Sequence, residues 1–213
     1  MDDQRHLLGY QEGGHVLRPR HLPNGTTLVE LMIGLAIVAL LFVMGAPNFF
    51  KWIQNSQIRT SAESIQNGLH LARGEAVRRN TSVRFQLTTN VTSSCALSTT
   101  GNSWVVSQDD PSGACGSTAS DTDVPRIVQT RPAEEGTANA AVAASQSSIV
   151  FNGLGRVVPV PAGNVDINIS NPSAGDCATA TSDGMRCLRV RVSTGGQIRM
   201  CDPILASTDP QGC

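Results

Sequence analysis

The hydrophobic pattern of the chain changes character three times. Residues 1–25 are polar, carry Arg5, Arg18, Arg20, His6, His15 and His21, and show no periodicity. From Leu31 to Pro47 no residue bears a charge, and from Leu28 to Phe50 the one exception is Glu30. A soluble core helix is not apolar on every side over such a length. The run therefore predicts a helix that spans a bilayer. Beyond it Ile58, Ala62, Ile65, Leu69, Ala72 and Ala76 recur at alternating steps of four and three, with Arg59, Glu63, Gln66 and Arg73 off that stripe. The pattern ends at Asn80-Thr81-Ser82, which favours a turn. Together these segments predict one helix of about 50 residues, roughly 75 Å long, transmembrane in its first half and amphipathic in its second. Pro47 is expected to kink it near the junction.

After residue 80 the period becomes two. Val83, Phe85 and Leu87 alternate with polar residues. Further strands are expected at Trp104–Val106, Arg126–Thr130, Ser148–Phe151, Arg156–Val160, Val165–Ile169, Cys187–Val192 and Gln197–Met200. Residues 107–125 and 131–147 read as the long loops, with Ala138 to Ser148 the mobile part. The fold class is α+β, a long N-terminal helix packed on antiparallel β-sheet.

Composition narrows the function. Charged residues are 15% and aromatics 4%, with a net charge of -1. That excludes a globally basic nucleic-acid binder. Lys51 is the single lysine, and no phosphate-binding G-x-x-x-x-G-K-[ST] loop exists. After residue 25 the one histidine is His70, so hydrolase triads and zinc sites lack parts. Asp109 and Asp110 read as solvated loop carboxylates. No enzyme, metal or cofactor is expected. The six cysteines contain no C-x-x-C pair and imply disulfides in an oxidising compartment. Many pairings are open to six cysteines; the sequential one, Cys95–Cys115, Cys177–Cys187 and Cys201–Cys213, is expected.

Two sites stand out. Glu30 lies at the head of the apolar helix, where a carboxylate needs a partner. Were the chain cut after Gly25, the new amine of Thr26 would lie one helical turn from Glu30, and the Glu30 of one subunit would neutralise the amine of the next. The second site is the hairpin 187–201. Leu188, Val190, Val192, Ile198 and Met200 share its buried face, which sets Arg191 opposite Arg199 with Arg189 nearby. Opposed like charges are destabilising. The readings are a solvated strand face, a contact with another subunit, or a contact with DNA phosphates.

The stretch Gly25-Thr26-Thr27-Leu28-Val29-Glu30-Leu31-Met32 resembles the signal of type IV pilins and type II secretion pseudopilins, with Thr26 where the family usually has Phe. Residues 64–80, with Trp104-Val105-Val106 and Ile149-Val150-Phe151-Asn152-Gly153-Leu154-Gly155, resemble the GspH/FimT group of minor pilins and pseudopilins. The resemblance implies a leader over 1–25, removed by a prepilin peptidase between Gly25 and Thr26 with N-methylation of Thr26. It implies a transmembrane and filament-core segment over 26–50, and a periplasmic globular domain over 51–213. Glu30 would guide assembly. The implied partners are the prepilin peptidase, other major and minor pilins and the inner-membrane assembly platform. The implied location is the bacterial inner membrane, then a pilus or pseudopilus, with the subunit at or near the pilus tip, where it primes assembly. The alternatives are a DNA-capturing pilin for competence, which would use Arg189, Arg191 and Arg199, a type II secretion pseudopilin, and a membrane-anchored periplasmic enzyme. An ordinary secretory signal ending at Met44-Gly45-Ala46 fits poorly, because Met44 stands where a small residue is wanted. A start near Val16 would shorten the leader to a basic one containing Arg18 and Arg20.

Overall fold

The computed structural model describes residues 25–133, 137, 139–179, 181–182 and 184–213, and for residues 44–48 the backbone alone. The leader expected over 1–25 therefore lies, up to Asn24, outside the described residues. The chain divides into two compact units, Met1–Met44 and Gly45–Cys213.

A single helix, α1, runs Leu28–Arg79. It begins because Thr27 caps it: the Thr27 hydroxyl accepts the Glu30 amide at 3.2 Å, and the Thr27 carbonyl accepts the Leu31 amide at 3.1 Å. It ends because Asn80 turns left-handed, with φ 49°. The Thr81 amide then reaches the Ala76 carbonyl, and the Asn80 amide the Val77 carbonyl. That is a Schellman closure with Asn in the position Gly usually takes. In the first unit the side chains of α1 from Leu28 to Val43 are exposed. Among the described residues no helix is long and apolar enough to cross a membrane, in contrast to the transmembrane half expected from the sequence. Pro47 lies within α1, and its side chain is among those not described.

In the second unit α1 packs on antiparallel β-sheet, as expected, and the strands divide into two sheets. The strands are β1 Val83–Thr88, β2 Ser103–Ser107, β3 Ile127–Arg131, β4 Ala141–Ala144, β5 Ser148–Phe151, β6 Val165–Ser170, β7 Leu188–Val192 and β8 Ile198–Cys201. One sheet has the order β3-β2-β1-β5 and the other β4-β6-β7-β8. The region read as a mobile Ala/Ser loop supplies β4, whose small side chains form an edge strand against β6. The apolar run Arg156–Val160 is no strand; it contributes one isolated bridge, Val157 to Phe151. Two prolines in and after that run deny it amide donors for a ladder.

The helical stripe is the centre of the core. Ile58, Ala62, Leu69, Ala72 and Ala76 are fully buried and Ile65 nearly so, in one cluster with Val83, Phe85, Leu87, Trp104, Val106, Ile167, Val190 and Val192. The helix sits close to the first sheet because its facing residues are small. A Cβ at Gly68 would stand 2.8 Å from the Phe85 ring and 3.1 Å from the Trp104 ring. Ser64 accepts the Trp104 indole N–H at 3.0 Å, and Ser61 donates to Asn102 at 3.0 Å. β2 is buried on both faces. Its back carries a second small cluster, Cys95, Val105, Cys115 and Ile127, under the loop that the Cys95–Cys115 disulfide closes. The unbroken apolar run Trp104-Val105-Val106 is explained by this double cover.

Truncating Leu69 to Ala should cost about 2–5 kcal/mol. Gly68→Val should also destabilise, because its branches enter the space of two packed rings. Chemical denaturation followed by Trp fluorescence measures both, and wild-type midpoints would show that the helix is not seated on this sheet.

Candidate functional site

Gly25 and Thr26 are exposed and precede the helix. Glu30 lies in its first turn, exposed, with its amide on Thr27. A carboxylate here is favoured by the helix dipole as well as by the Thr27-x-x-Glu30 capping arrangement. Thr27 was not singled out from the sequence, although Thr three residues before Glu at the start of an apolar run is a readable signal.

The hairpin arginines are on the outer face of the second sheet. Asp166, Arg191 and Arg199 stand in one cross-strand row through β6, β7 and β8, and Asn168, Arg189 and Cys201 form the next. Arg191 is thus opposite Arg199, and the structure offsets the repulsion within the chain. Arg191 grips Asp166 with both ends of its guanidinium, Nε to Oδ1 at 2.7 Å and Nη2 to Oδ2 at 2.8 Å. Its third nitrogen donates to the Cys213 carbonyl. Arg189 donates to Asn168 at 2.7 Å and reaches Asp166 at 3.3 Å. Arg199 donates through Nη2 to the carbonyls of Gly212 at 3.1 Å and Cys213 at 3.3 Å. Hydrogen bonding to Arg191 holds the Asp166 carboxyl below the usual range, and the same bond raises Arg191. Asp166 therefore already answers the charge of Arg191. Asp166 was missed because alternation gives its face but not which strand it lies beside.

Those carbonyls are held in place by a disulfide. The three pairs are Cys95–Cys115, Cys177–Cys187 and Cys201–Cys213. Cys201 closes β8, so its bond to Cys213 brings the intervening segment back across the sheet edge. The Cβ that Gly196 lacks would lie 2.0 Å from the Gly155 carbonyl, and φ there is +85°. The β7–β8 turn can therefore meet the 153–155 loop only with glycine.

The second basic cluster is likewise tied down. Arg78 and Arg79 both bind Glu75, at 2.5 and 2.7 Å, and Arg79 also binds Asp121 at 2.6 Å. Arg73 donates to the Gly155 carbonyl and Arg84 to the Gln108 carbonyl. Asp109 is not a merely solvated carboxylate: Arg126 holds both its oxygens at 2.8 Å and donates its backbone amide as well. Those bonds push the Asp109 carboxyl down to about 2. Asp110 caps a turn by accepting the Ser112 amide and hydroxyl, which lowers it. His70 is exposed. No group of three or more metal-ligating side chains occurs among the described residues.

A family profile described as Type II transport protein GspH matches residues 61–201, about two thirds of the chain. The chain belongs to the GspH family. Its match covers α1 from Ser61 to its end and all eight strands. Members of the GspH family are structural subunits, and this chain is not an enzyme. Similar solved structures include the type IV minor pilin FimU of Pseudomonas aeruginosa strain PAO1, at 14% identity and a TM-score of 0.46, covering 76% of this chain and 98% of that one. A second crystal form of FimU gives 14%, 0.43, 73% and 98%. The solution structure of E. coli GspH gives 11%, 0.39, 74% and 95%. No curated protein matches the sequence.

The carboxylates set the acid response. Asp109 and Asp166 are lowered in the folded state, so the unfolded chain takes up protons first as pH falls. Their stabilisation is complete above pH about 4, and that of Asp109 is lost as pH falls through about 2. Arg126→Gln should lower the melting temperature at pH 7 and converge with wild type near pH 2. A gap that persists unchanged at pH 2 would refute the coupling.

Proposed function

We propose that this GspH-family subunit is a minor pilin, made as a precursor, cut by a prepilin peptidase between Gly25 and Thr26, and N-methylated on the Thr26 amine. The apolar run from Leu31 to Pro47 lodges in the inner membrane and later in the filament core, among other pilins and on the assembly platform. Pro47 loosens the helix between core and globular unit. The globular unit faces the periplasm and then the filament exterior, at or near the tip, where the subunit primes assembly.

One observation carries this reading. The apolar side chains of α1 are left uncovered, Leu28 at 76% exposure and Phe42 at 72%, on a chain whose family assembles into pili or pseudopili. A surface of that kind marks a contact with lipid or with other protein. Glu30 supports it. Four residues from Thr26 and free of any side-chain ion pair among the described residues, it is placed to take an amine from a neighbouring subunit. In low dielectric that pair both fixes register and removes the cost of the buried acid. The family description, a type II transport protein, favours a pseudopilus as the second reading.

Mass analysis of the mature N-terminus should find methyl-threonine at Thr26. Glu30→Ala should leave the protein in the membrane and remove it from sheared filaments. A mature chain starting elsewhere, or normal incorporation of the variant, would refute the proposal; co-purification with pseudopilus rather than pilus components would favour the second reading.

A further inference from the structure

Four consecutive side chains of α1, Phe49, Phe50, Lys51 and Trp52, follow its apolar run and precede its buried stripe. All four are exposed, the three aromatics at 59%, 61% and 65%. Successive residues of a helix are turned by about 100°, so four in a row pass round the whole of it. They form a collar and not a stripe. Phe49 and Trp52 stack along one side, with ring centroids 6.0 Å apart and planes at 27°. Lys51 is the single lysine of the chain, and no ion pair answers its charge among the described residues.

Globular packing begins within one turn of the collar. Asn55 Oδ1 accepts the Arg186 amide at 3.3 Å, Gln57 Oε1 accepts Asn171 Nδ2 at 3.4 Å, and Ile58 is fully buried. A cavity of about 600 Å³ opens there, with Asn55, Arg59, Arg186, Asp202 and Gln211 in its lining. Charged and amide groups of that kind keep their solvation only in water. Lys51 is costly in hydrocarbon for the same reason. Before it, Leu31 to Phe50 are twenty residues without a charge, and about twenty helical residues match a hydrocarbon core of about 30 Å. The segment from Phe49 to Trp52 is therefore where hydrocarbon can end and water begin.

We propose that this collar rests among the phospholipid headgroups and sets the depth at which the subunit sits in the bilayer before assembly. The rings lie at the level of the lipid carbonyls, where an indole keeps its body in apolar surroundings and its N–H on polar ones. The Lys51 ammonium meets the lipid phosphates. A lipid surface fits a collar because it surrounds the helix, whereas one helix packed alongside would cover one side and leave the others bare. The inference rests on the reading that the apolar run lodges in a membrane, and adds where that membrane stops.

The test uses the full chain in vesicles of phosphatidylcholine and phosphatidylglycerol brominated either near the headgroup end or near the methyl end of the acyl chains. Bromine quenches only the tryptophans close to it. Trp52 should lose emission to the shallow label and keep it with the deep one. Trp104 is buried in the core, so Trp52→Phe should remove the quenching altogether. The triple variant Phe49→Ala/Phe50→Ala/Lys51→Ala should abolish the difference between the labels, because nothing then holds the helix at one depth. Its three positions are exposed, and an unchanged melting temperature checks that the globular unit is intact. Equal quenching by the two labels, quenching by neither, or a difference that survives the triple variant would overturn the collar while the chain still floats with the vesicles. A chain that does not float with them would overturn the membrane reading as well.

Discussion

The close seating of the second half of α1 on the first sheet is the contact on which the rest of this structure depends. It exists because one face of the helix is small where the sheet is large. Gly68, Ser64, Ser61 and Ala72 leave room, and Phe85 and Trp104 fill it. Ile58, Ile65 and Leu69 share one buried cluster with residues of both sheets, which have no strand in common. With few aromatics in the chain, the two that pack here, tilted at 38° with centroids 5.7 Å apart, carry a large share of the core.

Away from that contact, local covalent and ionic ties replace hydrophobic mass. The loop behind β2 has little apolar content, and it is held by Cys95–Cys115 and by the Arg126–Asp109 pair. The segment beyond β8 is held by Cys201–Cys213 and by carbonyls on Arg191 and Arg199. Short disulfide loops of this kind are worth about 3 kcal/mol each in the chain-entropy account. The same ties determine what the surface offers to a partner. Arginines that look free in a linear reading are engaged within the chain, Arg191 on Asp166, Arg126 on Asp109 and Arg79 on Glu75.

The two units divide the work. The α1 side chains from Leu28 to Val43 are exposed, whereas the second unit has a buried core from Ile58 onward. A structural subunit of the GspH family gains from that division. The globular core begins at Ile58, past the apolar run, so its packing does not depend on what covers that run.

The periodicities alone determined the helix, the face it buries and the strands at residues 83, 104, 148, 165, 188 and 198, because a hydrophobic repeat of 3.6 or 2 is a property of neighbours in the chain. The hairpin register was legible for the same reason: Arg191 does lie opposite Arg199. What the linear pattern did not hold was which strands meet. The split into two sheets, the use of residues 141–144 as an edge strand, and the capture of Asp109 by Arg126 are decided by segments distant in sequence. So are the placement of Asp166 beside Arg191 and the return of the Cys213 carbonyl to the same arginine. A side chain's charge is written in the sequence; whether another group in the chain already answers that charge depends on distance, and only tertiary structure sets distance.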